Sequence, residues 1–531
     1  MKEYMKTTGW CTKAILITVF ALNGSLFTTQ AQVNVVIPMA DEVGAARMPD
    51  VIAPISAPFD MPQLTKPTFP DYMLSITKKG AKQKKLATEA IQAAIDEVNQ
   101  KGGGTVVIPK GVWNTGRIIL KSNVNLHIAE GAVVNFSGEI KDYLPVVFTR
   151  SAGVEGMSMG ACIYANGQDN IAVTGKGKLV GPGRDCQLWK QNIGYGSFDK
   201  YIAYEKPATE RIYDGRDGSK VFLPTFIGPI NCTNVYIEGV SLEACVFWNI
   251  VPTYCENVII RGVTVNSVGL PMGDGMDIES CRNVLIEYCT LATGDDCFTI
   301  KSGRGIDGLR VNKPTENIVL RYNLTKIGHG GITCGSETAG MIRDVYAHDC
   351  VFDGTDVGIR FKTRRPRGGG GENLYYERIR MRTKATAIHF DMLGSSMYVG
   401  SQAARSWMKP DEFTPVYRNV DIKDLIVEDA SYFVKVSGIP ESPARNVNIS
   451  NVQSKSQKLI LAQDVNGMVI ENAILKSPDN TIRITDGRNI LFKNVTFEVN
   501  GGQVYEKVDG KLSENIYFKD CKPSDIKVEK E

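Results

Sequence analysis

The stretch Asn257-Val258-Ile259-Ile260-Arg261-Gly262 is one instance of a phrase that recurs along the chain. The phrase opens on Asn-Val or Asn-Ile, continues with alternating apolar and polar residues, and closes on a turn containing Gly or Asp. It returns at Asn234, Asn283, Asn317, Asn373, Asn419, Asn446, Asn489 and Asn515, and Asp344-Val345 and Gly467-Met468 fill two further slots. Most steps are 21 to 34 residues long; the step from 373 to 419 is longer and implies an inserted loop. Short β-branched runs without a helical period read as strands. One such unit cannot bury its apolar face alone, so successive units must stack. An Asn in the same slot of each coil suits a ladder of side-chain amides at a tight bend. A leucine-rich repeat needs a Leu-x-x-Leu-x-Leu frame and a propeller needs a four-stranded unit of regular length, and both fit less well. The pattern predicts an all-β chain, a right-handed single-stranded parallel β-helix of roughly ten or more coils.

A solenoid needs a cap at its end. Residues 88–99 supply a helix with Ile91, Ile95 and Val98 on one face, stopped by Gly102-Gly103-Gly104. The first strands are expected at residues 105–108 and 124–128. Residues 1–31 read as a secretory signal: Lys2, Lys6 and Lys13 precede an apolar run at 14–22, and Thr29-Gln30-Ala31 ends on a small residue suited to cleavage. That run is shorter than the roughly 20 residues a membrane span requires, so the expected product is exported, periplasmic or extracellular, with no membrane span. Residues 32–66 are Pro-rich and aperiodic and read as an extended arm; residues 67–525 form the β-helix domain. The polar, aromatic, turn-rich stretch at 184–220 reads as a loop inserted between coils.

Composition narrows the partners. With 43% hydrophobic and 22% charged residues among 531, the chain is too apolar to be disordered. A net charge of +3 is too small for a nucleic-acid binder. The 12 cysteines include no C-x2-C pair, which argues against a zinc ribbon. Cys281, Cys289 and Cys297, eight residues apart, read as small buried residues stacked within the repeat rather than as a metal cluster. No metal site and no organic cofactor is expected, and a solenoid needs no partner to complete its core, so a monomer is the expectation.

Counting from the Asn slot places charge on one side of consecutive coils. Asp274 lies 17 residues after Asn257, Asp295 and Asp296 lie 12 and 13 after Asn283, and His329, one of only 4 histidines, lies 12 after Asn317. Arg360 and Lys362 lie 16 and 18 after Asp344. Similar offsets bring these residues to one face, about 4.8 Å apart per coil. Like charges so close are a poor way to stabilise a fold and a good way to set up acid–base chemistry, because crowding raises one carboxyl pKa while its neighbours stay ionised. Singly, each motif has a plainer reading. Gly273-Asp274-Gly275 could be a turn, Asp295-Asp296 could close one, and Gly328-His329-Gly330 could be a solvated bend, although glycines on both sides leave that imidazole clear access. Arg360-Phe361-Lys362 alternates, so both cations point to one side of a strand. Trp248 could stack on a ligand or fill the core.

These motifs, in this order, resemble the polygalacturonase-type glycoside hydrolases, glycoside hydrolase family 28: Gly273-Asp274-Gly275-Met276-Asp277, Gly294-Asp295-Asp296-Cys297, Gly328-His329-Gly330 and Arg360-Phe361-Lys362. The capping region from Phe69-Pro70-Asp71 to Leu126 and the run from Phe247-Trp248-Asn249 to Cys255-Glu256-Asn257 resemble the family as well. The resemblance implies inverting hydrolysis of α-1,4-linked galacturonic acid in pectin, with an exo preference. It implies Asp295 as the general acid, Asp274 and Asp296 as the residues that hold and deprotonate water, and His329 as their support. Arg360 and Lys362 would clamp a substrate carboxylate, and Tyr398 is the candidate for a tyrosine that lines the sugar site in relatives. Inversion requires roughly 6.5–9.5 Å between acid and base to admit the water. The family's Asn-Thr-Asp is Met272-Gly273-Asp274 here, so one contact to the bound sugar is missing. Action on rhamnogalacturonan or branched galacturonan remains an alternative. So do a calcium-dependent pectate lyase and a non-catalytic glycan-binding β-helix, because the architecture hosts all of them.

Overall fold

The structure, a computed structural model, describes residues 35–195 and 198–530; the expected signal peptide lies outside them. Thirty strands join into one sheet wound around the chain. Its ladders are parallel, and the hairpin Val147–Ser151 with Val154–Ser158 is antiparallel. Register follows the repeated phrase. Val258 pairs with Val284, then in turn come Ile318, Val345, Leu374, Val420, Val447, Met468, Ile490 and Ile516. All of these but Ile516 are fully buried. The residue after the Asn thus forms a continuous aliphatic column, and each coil supplies the apolar surface its neighbour lacks. The fold is the right-handed parallel β-helix expected from the repeat.

The Asn slot has a backbone reason. Asn234, Asn257, Asn283, Asn317, Asn373, Asn419, Asn446, Asn489 and Asn515 all have φ between 53° and 58°. That left-handed conformation penalises most side chains and tolerates Asn. The amides form a ladder: Asn257 donates to Asn234 at 3.3 Å, Asn283 to Asn257 at 3.1 Å, and Asn317 to Asn283 at 3.1 Å. Where Gly467 takes the slot, the adjacent Asn466 accepts instead, from Asn489 at 2.9 Å. A second left-handed position follows five residues after each slot, at Gly239, Gly262, Tyr288, Tyr322, Asp349, Arg378, Asp424, Asn451, Asn472, Asn494 and Asp520. Every one of these coils therefore turns twice at a fixed interval.

The cap is the helix Thr88–Gln100, which buries Ile91, Ala94, Ile95 and Val98. Gly103, at φ 123°, donates its N–H to the Val98 carbonyl at 2.9 Å and ends the helix. Residues 36–66 lie along one face of the solenoid. Ile55, Met61 and Leu64 pack on Tyr236, Ile259, Leu285 and Val319. Arg261 and Arg321 donate to the carbonyls of Pro49 and Pro54, at 2.6 and 2.9 Å. The eleven described cysteines are free, and Cys281, Cys289 and Cys297 are wholly buried, each with its thiol against backbone carbonyls. The 184–220 stretch forms the short helices Gln187–Gln191 and Phe198–Tyr201, inserted between the strands Lys178–Val180 and Thr225–Ile230. Among the described residues no helix is long and apolar enough to cross a membrane.

Candidate active site

The strands Met276–Glu279, Phe298–Lys301, Gly328–Cys334, Thr355–Lys362 and Thr386–Asp391 run side by side. Alternation sends Phe298, Ile332, Ile359, Phe361 and Phe390 inward, where Phe361 stacks on Phe390 at 4.3 Å. The intervening residues point out, into a cavity of about 400 Å³ lined by Trp248, Asp274, Asp295, Lys301, His329, Arg360, Lys362, Arg364, Asp391 and Tyr398, among others. Every residue singled out from the sequence lines this cavity except Asp296, which lies beneath it. Lys362 Nζ is 3.4 Å from Asp296 Oδ2 and Arg360 Nη1 is 3.9 Å from Asp296 Oδ1.

The three carboxylates differ in environment. The Asp295 side chain is 31% exposed, against 5% for Asp274 and 1% for Asp296. Burial, joined by the charges of Asp277, Asp295 and Asp296, pushes Asp274 well above the usual carboxylate range despite Lys301 at 3.9 Å. Burial opposes ionisation of Asp296 too, yet Lys362, Arg360, His329 and Lys301 outweigh it and hold that carboxyl far below its ordinary value. The cluster thus holds one carboxyl raised from its ordinary value beside another that is lowered, an uneven pairing of the kind acid–base catalysis uses.

His329 is 44% exposed, and its Nδ1 stands 3.4 Å from both Asp295 Oδ1 and Arg360 Nη1. A neutral imidazole can accept from the guanidinium there, whereas a protonated one donates to the carboxylate. The flanking glycines also serve close packing. A Cβ on Gly330 would lie 2.6 Å from Asp296 Oδ1, and one on Gly328 would lie 2.5 Å from the Cys297 sulfur.

Sequence reasoning passed over three charged residues beneath and beside the cavity. Lys301 is buried, 3.1 Å from Glu337, 3.5 Å from Asp277 and 4.2 Å from the centre of the Trp248 ring. Asp391 accepts from Arg360 at 2.7 Å. Glu337 also accepts from Tyr195 at 2.5 Å and lies 3.4 Å from Arg367. Lys301 and Asp391 had a signal: each lies 18 residues after its Asn slot, at Asn283 and Asn373, as Lys362 does after Asp344.

Trp248 lines the cavity, yet it is only 3% exposed and stacks on Phe247 at 4.7 Å. Tyr398 comes from the loop in the long 373-to-419 step. Its ring meets that of Tyr195, from the 184–220 insertion, edge to face at 6.0 Å. The two insertions therefore touch at the cavity. Ligand atoms of Asp295, Asp296 and His329 lie within 4.8 Å of one another, a spacing a cation could bridge, but Lys362 and Arg360 already supply positive charge to Asp296.

Comparison with known proteins agrees with this geometry. A chain from Vitis vinifera described as "Probable polygalacturonase" is 30% identical over 414 residues, covering 75% of this chain and 77% of that one. An exo-poly-alpha-D-galacturonosidase of Dickeya chrysanthemi is 28% identical over 59% of this chain and 56% of its own length. The crystal structure of a hyperthermoactive exopolygalacturonase from Thermotoga maritima superposes with a TM-score of 0.70 and 31% identity, over 78% of this chain and 93% of that one. The sequence profile of Glycosyl hydrolases family 28 matches residues 101–458, a span that holds all the cavity-lining strands, and the chain belongs to that family of hydrolases.

Proposed function

We propose that this enzyme hydrolyses α-1,4-linked galacturonic acid in pectin, with inversion and from a chain end. The observation that carries the reading is that Asp274, Asp295, Arg360 and Lys362 line one cavity, with Asp296 beneath it against both cations. Paired cations match a uronate carboxylate, which a neutral sugar lacks. Asp295, the most exposed of the three, is assigned as the acid that protonates the leaving oxygen, with His329 beside it to adjust its charge. Asp274 and Asp296 are assigned together as the pair that holds and deprotonates the attacking water. Water attacks the anomeric carbon as the glycosidic C–O bond breaks, its proton passes to the base, and the acid's proton leaves on the departing sugar. Trp248 and Tyr398 are assigned as ring contacts to the sugars.

Tyr195 and Tyr398, which both line the cavity, are in ring contact, and a bridge between the two insertions there supports attack from a chain end. Export and a monomeric state belong to the same proposal. Digestion of polygalacturonic acid with and without a chelator tests it. Saturated galacturonate monomer, unaffected by chelation and abolished by Asp295→Asn, is the expected result. Saturated oligomers would overturn the exo assignment, and an unsaturated, chelator-sensitive product would replace hydrolysis by a lyase reaction. No product from this substrate would favour rhamnogalacturonan or a branched galacturonan.

A further inference from the structure

Four cations line the cavity, and three of them already have carboxylate partners. Lys301 is 3.1 Å from Glu337, Arg360 is 2.7 Å from Asp391, and Lys362 is 3.4 Å from Asp296. Arg364, two residues beyond Lys362, differs. Among the described residues no carboxylate comes within 4.0 Å of its guanidinium, although Arg364 is only 4% exposed. Its Nη2 donates to Ser336 Oγ at 3.0 Å, its Nε has no hydrogen-bond partner, and its guanidinium carbon lies 4.8 Å from the centre of the Tyr398 ring. Neighbouring arginines do not share this condition: Arg365 is paired with Glu441 at 2.5 Å and Arg367 with Glu337 at 3.4 Å.

A buried charge without a counter-ion is unfavourable, and protein interiors ordinarily pair such a group. The ring of Tyr398 offsets part of that cost and fixes the plane of the guanidinium, leaving its edge for a planar anion. Place matters as much as charge. Ser336 lies 3.5 Å from the Tyr195 hydroxyl, so Arg364 sits where the two insertions meet at the cavity.

We infer that Arg364, with Ser336 and Tyr398, forms a second carboxylate-binding site, which receives the uronate group of the sugar unit lying beside the two insertions. This rests on the proposed action on galacturonan and deepens it. Arg360 and Lys362 are held among the carboxylates that do the chemistry, whereas Arg364 recognises that unit and selects an acidic sugar over a neutral one.

Calorimetric titration of the enzyme with galacturonate and with galactose, for the wild type, Arg364→Gln and Arg364→Lys, tests the inference without requiring turnover. The wild type should bind galacturonate at least tenfold more tightly than galactose. Arg364→Gln should weaken galacturonate about tenfold to a hundredfold and leave galactose unchanged. Arg364→Lys should recover part of the loss. Because the substitution removes an unpaired buried charge, Arg364→Gln should melt at the wild-type temperature or above it. Unchanged galacturonate affinity in Arg364→Gln would overturn the site, as would no preference for galacturonate in the wild type. A lowered melting temperature with equal loss of both sugars would make Arg364 a structural residue and overturn it too. Failure to hydrolyse polygalacturonate would count against the proposed function alone, because the binding comparison stands apart from catalysis.

Discussion

Arg360 Nη2 donates to Asp391 Oδ2 at 2.7 Å, and the two residues come from strands of consecutive coils paired in register. The Asp391 carboxyl, which burial would raise, is held down to about 2 by Arg360 and His389. The guanidinium is thereby anchored on one side while its other nitrogen reaches Asp296 and His329. Asp391→Asn should free Arg360 to swing, raising KM for oligogalacturonate about tenfold while kcat falls less. Its stability should fall by about 3 kcal/mol, since one partner of a largely buried pair is lost. Steady-state kinetics and denaturant melts check both figures.

Gly330 approaches the Asp296 carboxylate too closely to carry a side chain. Gly330→Ala places a methyl 2.6 Å from Asp296 Oδ1 and 2.2 Å from Thr333 Oγ1. Displacing the carboxylate by a few tenths of an ångström should lower kcat about a hundredfold in a protein that still folds. Kinetics beside a circular dichroism spectrum would show it; near-normal kcat would mean that Asp296 tolerates movement.

Two acidic groups beneath the cavity should make stability depend on pH. Burial pushes Asp277 from 3.8 up to about 7 and Glu279 from 4.5 up to about 6. The folded state then binds more protons than the unfolded chain between about pH 4 and 7, so these groups withdraw stability as pH rises through that window. His389 acts the opposite way: burial lowers it from 6.5 to about 4, which adds stability as pH rises from 4 to 6.5. Comparing variants isolates one contribution. Asp277→Asn should lose less melting temperature between pH 4 and pH 7 than the wild type. Parallel melting curves would show that Asp277 titrates normally.

The Asn ladder makes two separable contributions. Asn283 holds φ at 57° while its amide joins Asn257 and Asn317. Asn283→Ala should cost about 1–2 kcal/mol in backbone strain in addition to the lost hydrogen bonds. Asn283→Gly accepts the left-handed conformation and should recover the strain portion. Equal melting temperatures for the two variants would place the whole effect in the amides.

The architecture was legible because the left-handed slot accepts few side chains, and Asn marks it openly. The second left-handed turn is marked less evenly, by Gly, Asp or Asn at most of its positions but not at three of them. Tyr288, Tyr322 and Arg378 occupy those three, none a residue that signals positive φ, so neighbouring coils rather than local preference must hold the turn there. Tyr288 and Tyr322 stack at 4.9 Å, one visible part of that support. In the site, Asp274, Asp295, Asp296 and His329 stood out through their motifs and shared offsets. Lys301 and Asp391 obey the same spacing but lie in Thr299-Ile300-Lys301 and His389-Phe390-Asp391, which look like ordinary strand. Glu337 reaches Lys301 and Tyr195 through tertiary contacts that no local spacing encodes.

The five-residue interval between the two left-handed turns is constant from Asn234 to Asn515, whereas the distance from one slot to the next ranges from 21 to 46 residues. All growth of the chain is thus diverted to the other part of the circuit, which includes the rim that carries Tyr398. The scaffold works like a loom with fixed warp and free weft. Rim segments can be lengthened, shortened or exchanged without shifting the register beneath them. The extent of polymer that the groove admits can therefore be redesigned apart from the chemistry on its floor.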